Sequence, residues 1–289
     1  MQPSSSSHHD RRSGPANADN ATPPRDFADY HLPALEADEA RHNLILAMLA
    51  RFSGSEPSPL ATWTLGAPGQ CAVQAPGRPI VLGDLDEAQC RRLAEATRGH
   101  NYHGVVGPDR TAPWFAARAE EVGVRFLEPI PQRIHALKAT PRYPGAPGQA
   151  YIVEPDDAWL FADWMMAFTR EATPHDPVPE REEIVRSAGD GRFMFWTVDG
   201  EPVAMAGIVR RTRHAAAIAG VYTPPNLRGR GYGGSVTAAV AELAFSQAKS
   251  IVCLYTDLRN PSSNRCYARI GFEPVCPSWH YPRPMPQPG

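Results

Sequence analysis

The stretch RGRGYGGS, Arg228 to Ser235, sets four glycines and two arginines directly ahead of an alanine-rich amphipathic segment. Backbone N–H groups in such a loop converge on an anion because no Cβ blocks the approach. A helix starting near Gly233 adds the positive end of its dipole and its unsatisfied N–H donors. Arg228 and Arg230 can add charge-assisted hydrogen bonds to a pyrophosphate. This is the chemistry of a phosphate cradle. The alternative is a connection kept glycine-rich for tight packing, with arginines that only solubilise it.

Two familiar phosphate loops do not fit. A Walker A loop needs Lys and then Ser or Thr after its last glycine. Gly229 and Gly234 have that spacing, but Ser235 stands where Lys is required. The dinucleotide fingerprint G-x-G-x-x-G matches at Gly229, Gly231 and Gly234, with Asp257 as a downstream acid. In that fold the strand runs straight into the first glycine, whereas Pro224, Pro225, Asn226, Leu227 and Arg228 intervene here. Only two strands and two helices are expected after the loop, too few to complete such a domain.

A third pattern, R-x-x-G-x-G, runs from Arg228 through Gly231 to Gly233. VYTPPNLRGRGYGG, then a helix, then LYTDLRNPSSNRCYARIGF resembles the central and following motifs of the GNAT acyltransferases, over roughly Tyr151 to Tyr281. The resemblance implies an acetyl-CoA site built from Arg228, Gly229, Arg230, Gly231, Tyr232, Gly233 and Gly234. It also implies that Val221, Tyr222 and Thr223, on the strand before the loop, offer backbone N–H groups to pantetheine and the acyl carbonyl. That oxyanion-type role needs no special side chain.

Asn260 and Tyr267 occupy the family's N-x-x-x-x-x-x-Y positions, followed by Gly271-Phe272. By resemblance, Asn260 contacts the CoA arm, with Asn264 a further candidate, and Tyr267 protonates the leaving sulfur. A phenol with an unperturbed pKa of about 10 carries its proton at neutral pH. Asn260 before Pro261 also reads as an N-cap and N1 pair, and Tyr267 also reads as a packed aromatic. Both readings stay open.

The general base is not evident. Many family members carry Glu on the strand before the loop, and here that strand reads HAAAIAGVYT. His214 at its start, and Glu171, His175 and Asp176 around the loop after the first helix of this half, are the candidates. A water chain or an amine of low pKa would remove the need for one. The implied activity is direct transfer of the acetyl group from acetyl-CoA to a primary amine, without a metal. A small molecule or amino-acid-like amine is the first expected acceptor, and a protein or peptide terminus the second. A catalytically silent acyl-CoA-binding regulatory module is the alternative from another class.

These residues need a scaffold. From QAYIVEP onward the expected order is β-α-α-β-β-β-α-β-α-β. It includes a helix over residues 156–172, with Trp159, Trp164 and Met165 facing the core, and a hairpin turning at Asp199-Gly200. The last strand is expected at GFEPV. Upstream, EADEARHNLILAMLARF, LDEAQCRRLAEAT and TAPWFAARAEEVG read as helices and RPIVLG as a strand. The expected organisation is a disordered tail over residues 1–28, a mixed α/β lobe over 29–138, a linker over 139–150 and an acetyltransferase domain over 151–289. That last domain is expected to hold CoA by itself. Two-lobed members of the family exist, so the first lobe reads as a degenerate copy of the fold without a glycine loop, and the cleft between lobes as the acceptor site.

Composition bounds the rest. The length of 289 residues fits two domains. Net charge is −2, so no general field draws nucleic acid or anionic lipid. No apolar run approaches the roughly 18 residues of a membrane span, and the start of the chain lacks a signal peptide's apolar core. The five cysteines (Cys71, Cys90, Cys253, Cys266, Cys276) are odd in number and form no C-x-x-C pair, which argues against a disulfide framework or zinc site. A reducing cytoplasm is the expected location. Isolated His42 and His135 read as structural, and SSSSHH as part of the tail.

Overall fold

The computed structural model describes residues 24–284, except 56 and 177. In the first half, α1 (Pro24–Glu36) and α2 (Glu39–Phe52) precede three short strands, β1 (Ala61–Thr64), β2 (Cys71–Gln74) and β3 (Ile80–Leu82). Then come α3 (Glu87–Ala96), β4 (Gly104–Pro108), α4 (Thr111–Glu121) and β5 (Ile130–Leu137). The second half opens on β6 (Gln149–Ile152) and then repeats the order. Its helices α5 (Ala158–Ala172) and α6 (Arg181–Arg186) precede β7 (Phe193–Val198), β8 (Glu201–Arg211) and β9 (Ala215–Tyr222). These are followed by α7 (Tyr232–Ser246), β10 (Ile251–Asp257), α8 (Pro261–Ile270) and β11 (Glu273–Pro282). The β7–β8 hairpin turns where expected, with φ of 52° at Asp199 and 86° at Gly200, the left-handed pair a tight hairpin needs.

All strands join one eleven-stranded sheet, ordered β1-β2-β3-β4-β11-β5-β10-β9-β8-β7-β6. Within each half the first three strands are antiparallel and a helix carries the chain to a parallel neighbour, β3 to β4 and β9 to β10. The final strands are exchanged. β5, from the first half, lies between β10 and β11, and β11, from the second, lies between β4 and β5. Two lobes of the same mixed α/β fold are therefore recognisable, but the sheet crosses the boundary expected between them.

Side-chain size decides how α2 crosses this seam. Ala217 and Cys253 on adjacent strands pack with Ala40 of α2, and these small residues let the helix lie close to the sheet. At its first turn Glu39, only 3% exposed, accepts from the N–H groups of His214 and Ala215 (both 2.9 Å), the Thr212 hydroxyl and His214 Nδ1 (2.6 Å). On the opposite face, α7 packs Val236, Val240 and Ala244 against Ala216, Ile218, Val252 and Leu254.

Four expectations need correction. The tail expected over residues 1–28 does not hold for residues 24–28, because α1 begins at Pro24 and Phe27 is fully buried against the α1–α2 core; residues 1–23, with SSSSHH, lie outside the described residues. Residues 139–150 are a strap bound to the second lobe. Arg142 N–H donates to Ile270 O (2.8 Å), the Tyr143 hydroxyl to Glu242 (2.6 Å) and Trp196 Nε1–H to Pro147 O (2.8 Å). Trp159 is 61% exposed, because α5 turns Ala158, Phe161 and Ala162 inward and leaves Trp159 beneath Arg181. Finally, β11 runs on through Pro274 and Pro277 to Pro282, with a bulge between Pro274 and Cys276 absorbing the irregularity.

Candidate active site

β9 and β10 pair only from Ala215/Ile251 to Ala217/Cys253 and then part. The divergence has a local cause. Gly220 adopts a φ of 66° where β9 carries an extra residue against β8, so the strand turns away after it. A Cβ there would lie 3.2 Å from Met165 Sδ and 3.3 Å from Phe193 Cε1. Val221, Tyr222 and Thr223 follow the bulge, half-buried, on the edge of β9 that β10 has left. Tyr222 packs on Trp164, with ring centroids 6.0 Å apart.

Beyond Thr223 a single 3-10 turn (Pro225–Leu227) leads into the glycine loop. Gly229 and Gly231 take φ of 80° and 86°, and Gly231 caps α7 with no side chain on the helix's first N–H groups. A Cβ on Gly229 would meet only open space, so the loop is open on that side. A Cβ on Gly234 would lie 2.7 Å from Pro144 Cγ and 3.0 Å from Cys266 Sγ, so this glycine serves the close approach of the strap and α8. Ser235, in the same turn, buries its hydroxyl without a partner among the described residues. A helix N-terminus left uncapped by its own sequence, under an exposed glycine loop, fits the pyrophosphate of an acyl-CoA.

The two loop arginines are not equivalent. Arg228 donates to Thr223 O (2.9 Å) and to Glu171 Oε2 (2.7 Å), and its guanidinium lies over the Tyr222 ring at 5.9 Å. It ties the loop to β9 and α5, and Glu171 is engaged as its partner. Arg230 is exposed, with only a 3.5 Å contact to Asn226 O, and is the guanidinium left for an anion. Tyr232 is buried in the core between sheet and helix, so its side chain is turned from the loop.

On α8, Asn260 is the N-cap, accepting from Ser263 N–H at 3.1 Å. Asn264 Nδ2 donates to Asp257 O (3.0 Å) and Asn260 O (2.7 Å), fastening the β10–α8 turn. Tyr267 is buried edge-on to Phe272, with centroids 6.0 Å apart, and no hydrogen bond holds its hydroxyl among the described residues. Burial pushes its pKa well up, so the phenol keeps its proton.

The remaining base candidates separate. His214 sits at the start of β9 on Glu39, eight residues and roughly 26 Å of strand before Tyr222. His175 and Asp176 lie in the α5–α6 loop, and both act on the charge of His280 of β11. The pairings Asp257–Gln132–Ser278 put this part of β11 at the end of the sheet where β9 and β10 diverge. Among the described residues His280 Nε2 is buried without a partner, and burial lowers the ring's pKa, leaving a neutral imidazole. The sequence reading missed it because the strand was ended at the prolines; continuing the strand through SWHYP would have exposed it. Among the described residues no group of three or more His, Cys, Asp or Glu is arranged to hold a metal ion.

Residues 158–272 match the model of the acetyltransferase (GNAT) family. Over 124 residues the chain is 32% identical to an aminoglycoside N(6′)-acetyltransferase type 1 of Serratia marcescens, a match covering 40% of this chain and 84% of that protein. Among solved structures, a GCN5-related N-acetyltransferase from Sphaerobacter thermophilus aligns with a TM-score of 0.56 at 17% identity, over 91% of this chain and 95% of that one. Another, from Kribbella flavida, aligns with a TM-score of 0.50 at 19% identity, over 79% and 88%. At those identities the structural likeness speaks for the fold alone.

Proposed function

Since the chain belongs to the acetyltransferase (GNAT) family, we propose that it is an acetyl-CoA-dependent N-acetyltransferase acting on a small-molecule primary amine. The carrying observation is the uncapped α7 N-terminus behind Gly231, set beside the gap between β9 and β10. Bound acetyl-CoA would supply the activated thioester carbonyl. The α7 N–H groups and Arg230 would hold its pyrophosphate, and the backbone of Val221 to Thr223 would orient the acyl arm. Asn260 and Asn264 would act mainly by fixing the turn that borders it. Tyr267, kept protonated by burial, would give its proton to the departing sulfur.

On the acceptor side His280, neutral and within the field of His175 and Asp176, is the side chain best suited to take the amine proton. The Serratia relative is by name an aminoglycoside acetyltransferase. That supports a small, amine-bearing acceptor over a protein terminus.

Thiol release from acetyl-CoA across a panel of small amines tests this reading. A productive amine is expected, with a rate that rises through a midpoint below pH ~6.5, the ordinary histidine value, if His280 takes the proton. Acetyl-CoA binding with no turnover on any amine or peptide would favour the silent acyl-CoA-binding module instead.

A further inference from the structure

We infer that the arginine groove on the outer face of α8 seats a phosphomonoester, the 3′-phosphate at the nucleotide end of CoA; this rests on the acyl-CoA reading above. The groove is open, has a volume of about 510 Å³, and is lined by Arg142, Arg265, Ala268 and Arg269. Arg265 and Arg269 stand one turn apart on the side of α8 away from buried Tyr267 and Ile270, with the short Ala268 leaving the floor open. Arg142 joins them from the strap. Its N–H is fixed to Ile270 O at 2.8 Å, and its Nη2 lies 3.7 Å from where a Gly271 Cβ would stand.

Like charges one helical turn apart repel, and none of the three arginines meets a carboxylate among the described residues. Arg41, Arg118, Arg181, Arg192, Arg228 and Arg259 all do. The negative end of α8 accounts for cations at Arg269 and Arg142, but its effect fades within the last turn and leaves Arg265 unexplained.

The position of the groove points to its ligand. Cys266, next to Arg265, and Pro144, two residues after Arg142, are the nearest neighbours of Gly234 in the first turn of α7. The groove therefore adjoins the pyrophosphate cradle, on the side where strap and α8 meet it. CoA carries a dianionic monoester on the ribose beyond its pyrophosphate, and the planar guanidinium fork is suited to such a group. NAD has no monoester there.

Calorimetry of wild type and the double variant Arg265→Ala/Arg269→Ala, each with acetyl-CoA and with 3′-dephospho-acetyl-CoA, tests the assignment. Both side chains are exposed, and an unchanged Tm will confirm that the variant folds. Wild type should bind the dephospho form about tenfold more weakly, the size of one strong charge-assisted contact, and the double variant should bind both forms alike. Equal binding of the two by wild type overturns the inference and leaves the acyl-CoA reading standing. Binding of neither overturns both. Inorganic phosphate separates the two sources of the same chemistry. Competition with acetyl-CoA but not with the dephospho form supports the assignment, whereas phosphate that still binds once acetyl-CoA is seated gives the groove to a free anion and overturns it.

Discussion

In the first lobe, the helix after the third strand starts behind Asp86, whose carboxylate takes the Gln89 N–H at 2.7 Å while Gln89 Oε1 takes the Asp86 N–H at 2.8 Å. In the second, the corresponding helix starts behind Gly231, and no side chain among the described residues caps its first N–H groups. Both helices follow equivalent strands and cross to parallel partners. One N-terminus is thus closed by its own carboxylate, with Asp84 two residues upstream paired to Arg41, and the other is left open under glycine and arginine. The fold supplies the place for an anion twice. Loop chemistry leaves only one of them open.

Strand exchange means that the two places are not independent. A fragment beginning at Gln149 would lack β5, and β10 would lose its pairing from Val252/Leu137 to Asp257/Gln132. The expectation that the second half holds CoA alone is therefore reversed. This fragment should show no cooperative melting and no acetyl-CoA affinity, and co-expression with residues 24–148 should restore both. A fragment that binds acetyl-CoA by itself would break the picture of two mutually completing lobes.

The next largest effect concerns Tyr267, which has no counterpart in the first lobe: the same stretch of α4 carries Ala116, Ala117, Arg118 and Ala119. Tyr267→Phe keeps the ring and removes the proton. If the phenol is the acid, kcat should fall roughly 10²- to 10⁴-fold, with the acetyl-CoA Kd almost unchanged. Because burial raises the phenol's pKa, the wild-type rate should show no loss from its ionisation below pH ~10. Turnover within a few-fold of wild type would reduce Tyr267 to a packing residue.

Gly231→Val tests the open N-terminus itself. The position needs a φ of 86°, which a β-branched residue resists, and the added Cβ would stand in contact with Ala146 and Pro144, whose Cβ atoms lie 3.4 and 3.6 Å away. Acetyl-CoA at 100 times its Kd should stabilise wild type by about 2.7 kcal/mol, and the variant should lose most of that shift. NAD and ATP should stabilise neither protein appreciably. Stabilisation by NAD but not acetyl-CoA would bring back the dinucleotide reading.

How much of this was legible depends on whether the cause was local. Glycine at Gly229 and Gly231, Asn260 before Pro261, and Asp199-Gly200 each state their backbone geometry in one or two residues, and the order of elements in the second half follows as expected. The four-residue strands β1 and β2 are too short to display a period, and they were missed, as were β4 and β5. The exchange of β5 and β11 is a choice among distant partners, and nothing local encodes it. Trp159 misled because three large apolar side chains in one helix were all assigned to its buried stripe, whereas α5 buries a stripe through Ala158, Phe161 and Ala162. Arg228 and Glu171, read as candidate ligand and base, lie on each other across the glycine loop and α5, a pairing that nothing local encodes.

Glu39 tests the seam between the lobes. Burial alone would raise its carboxyl pKa, but the hydrogen bonds from Thr212, His214 and Ala215 outweigh burial and hold it below the usual value. A depressed carboxyl contributes stability above its unfolded pKa of about 4.3 and loses it as pH falls through the folded value. Glu39→Gln should cost about 2 kcal/mol at pH 7, and the gap to wild type should narrow below pH ~4. A gap that stays constant with pH would mean that the contact acts through shape rather than charge.

The smallest effect is expected in the closed N-terminus. Asp86→Ala removes the cap of α3 and its reciprocal bond with Gln89, and should cost about 1 kcal/mol by thermal or denaturant unfolding. It frees N–H groups at the place equivalent to the cradle, but Gly83 is the one glycine in the loop, the nearby Arg41 is paired with Asp84, and the loop carries no basic residue in place of Arg228 or Arg230. A Cβ on Gly83 would come within 2.4 Å of Gly69 O, so even this glycine is spent on packing against a neighbouring turn rather than on an anion. Acetyl-CoA affinity and stoichiometry should therefore stay as in wild type, at one site per chain. A second site appearing in Asp86→Ala would show that the carboxylate alone had kept the first lobe empty, and would move the distinction between the lobes from a whole loop to a single side chain.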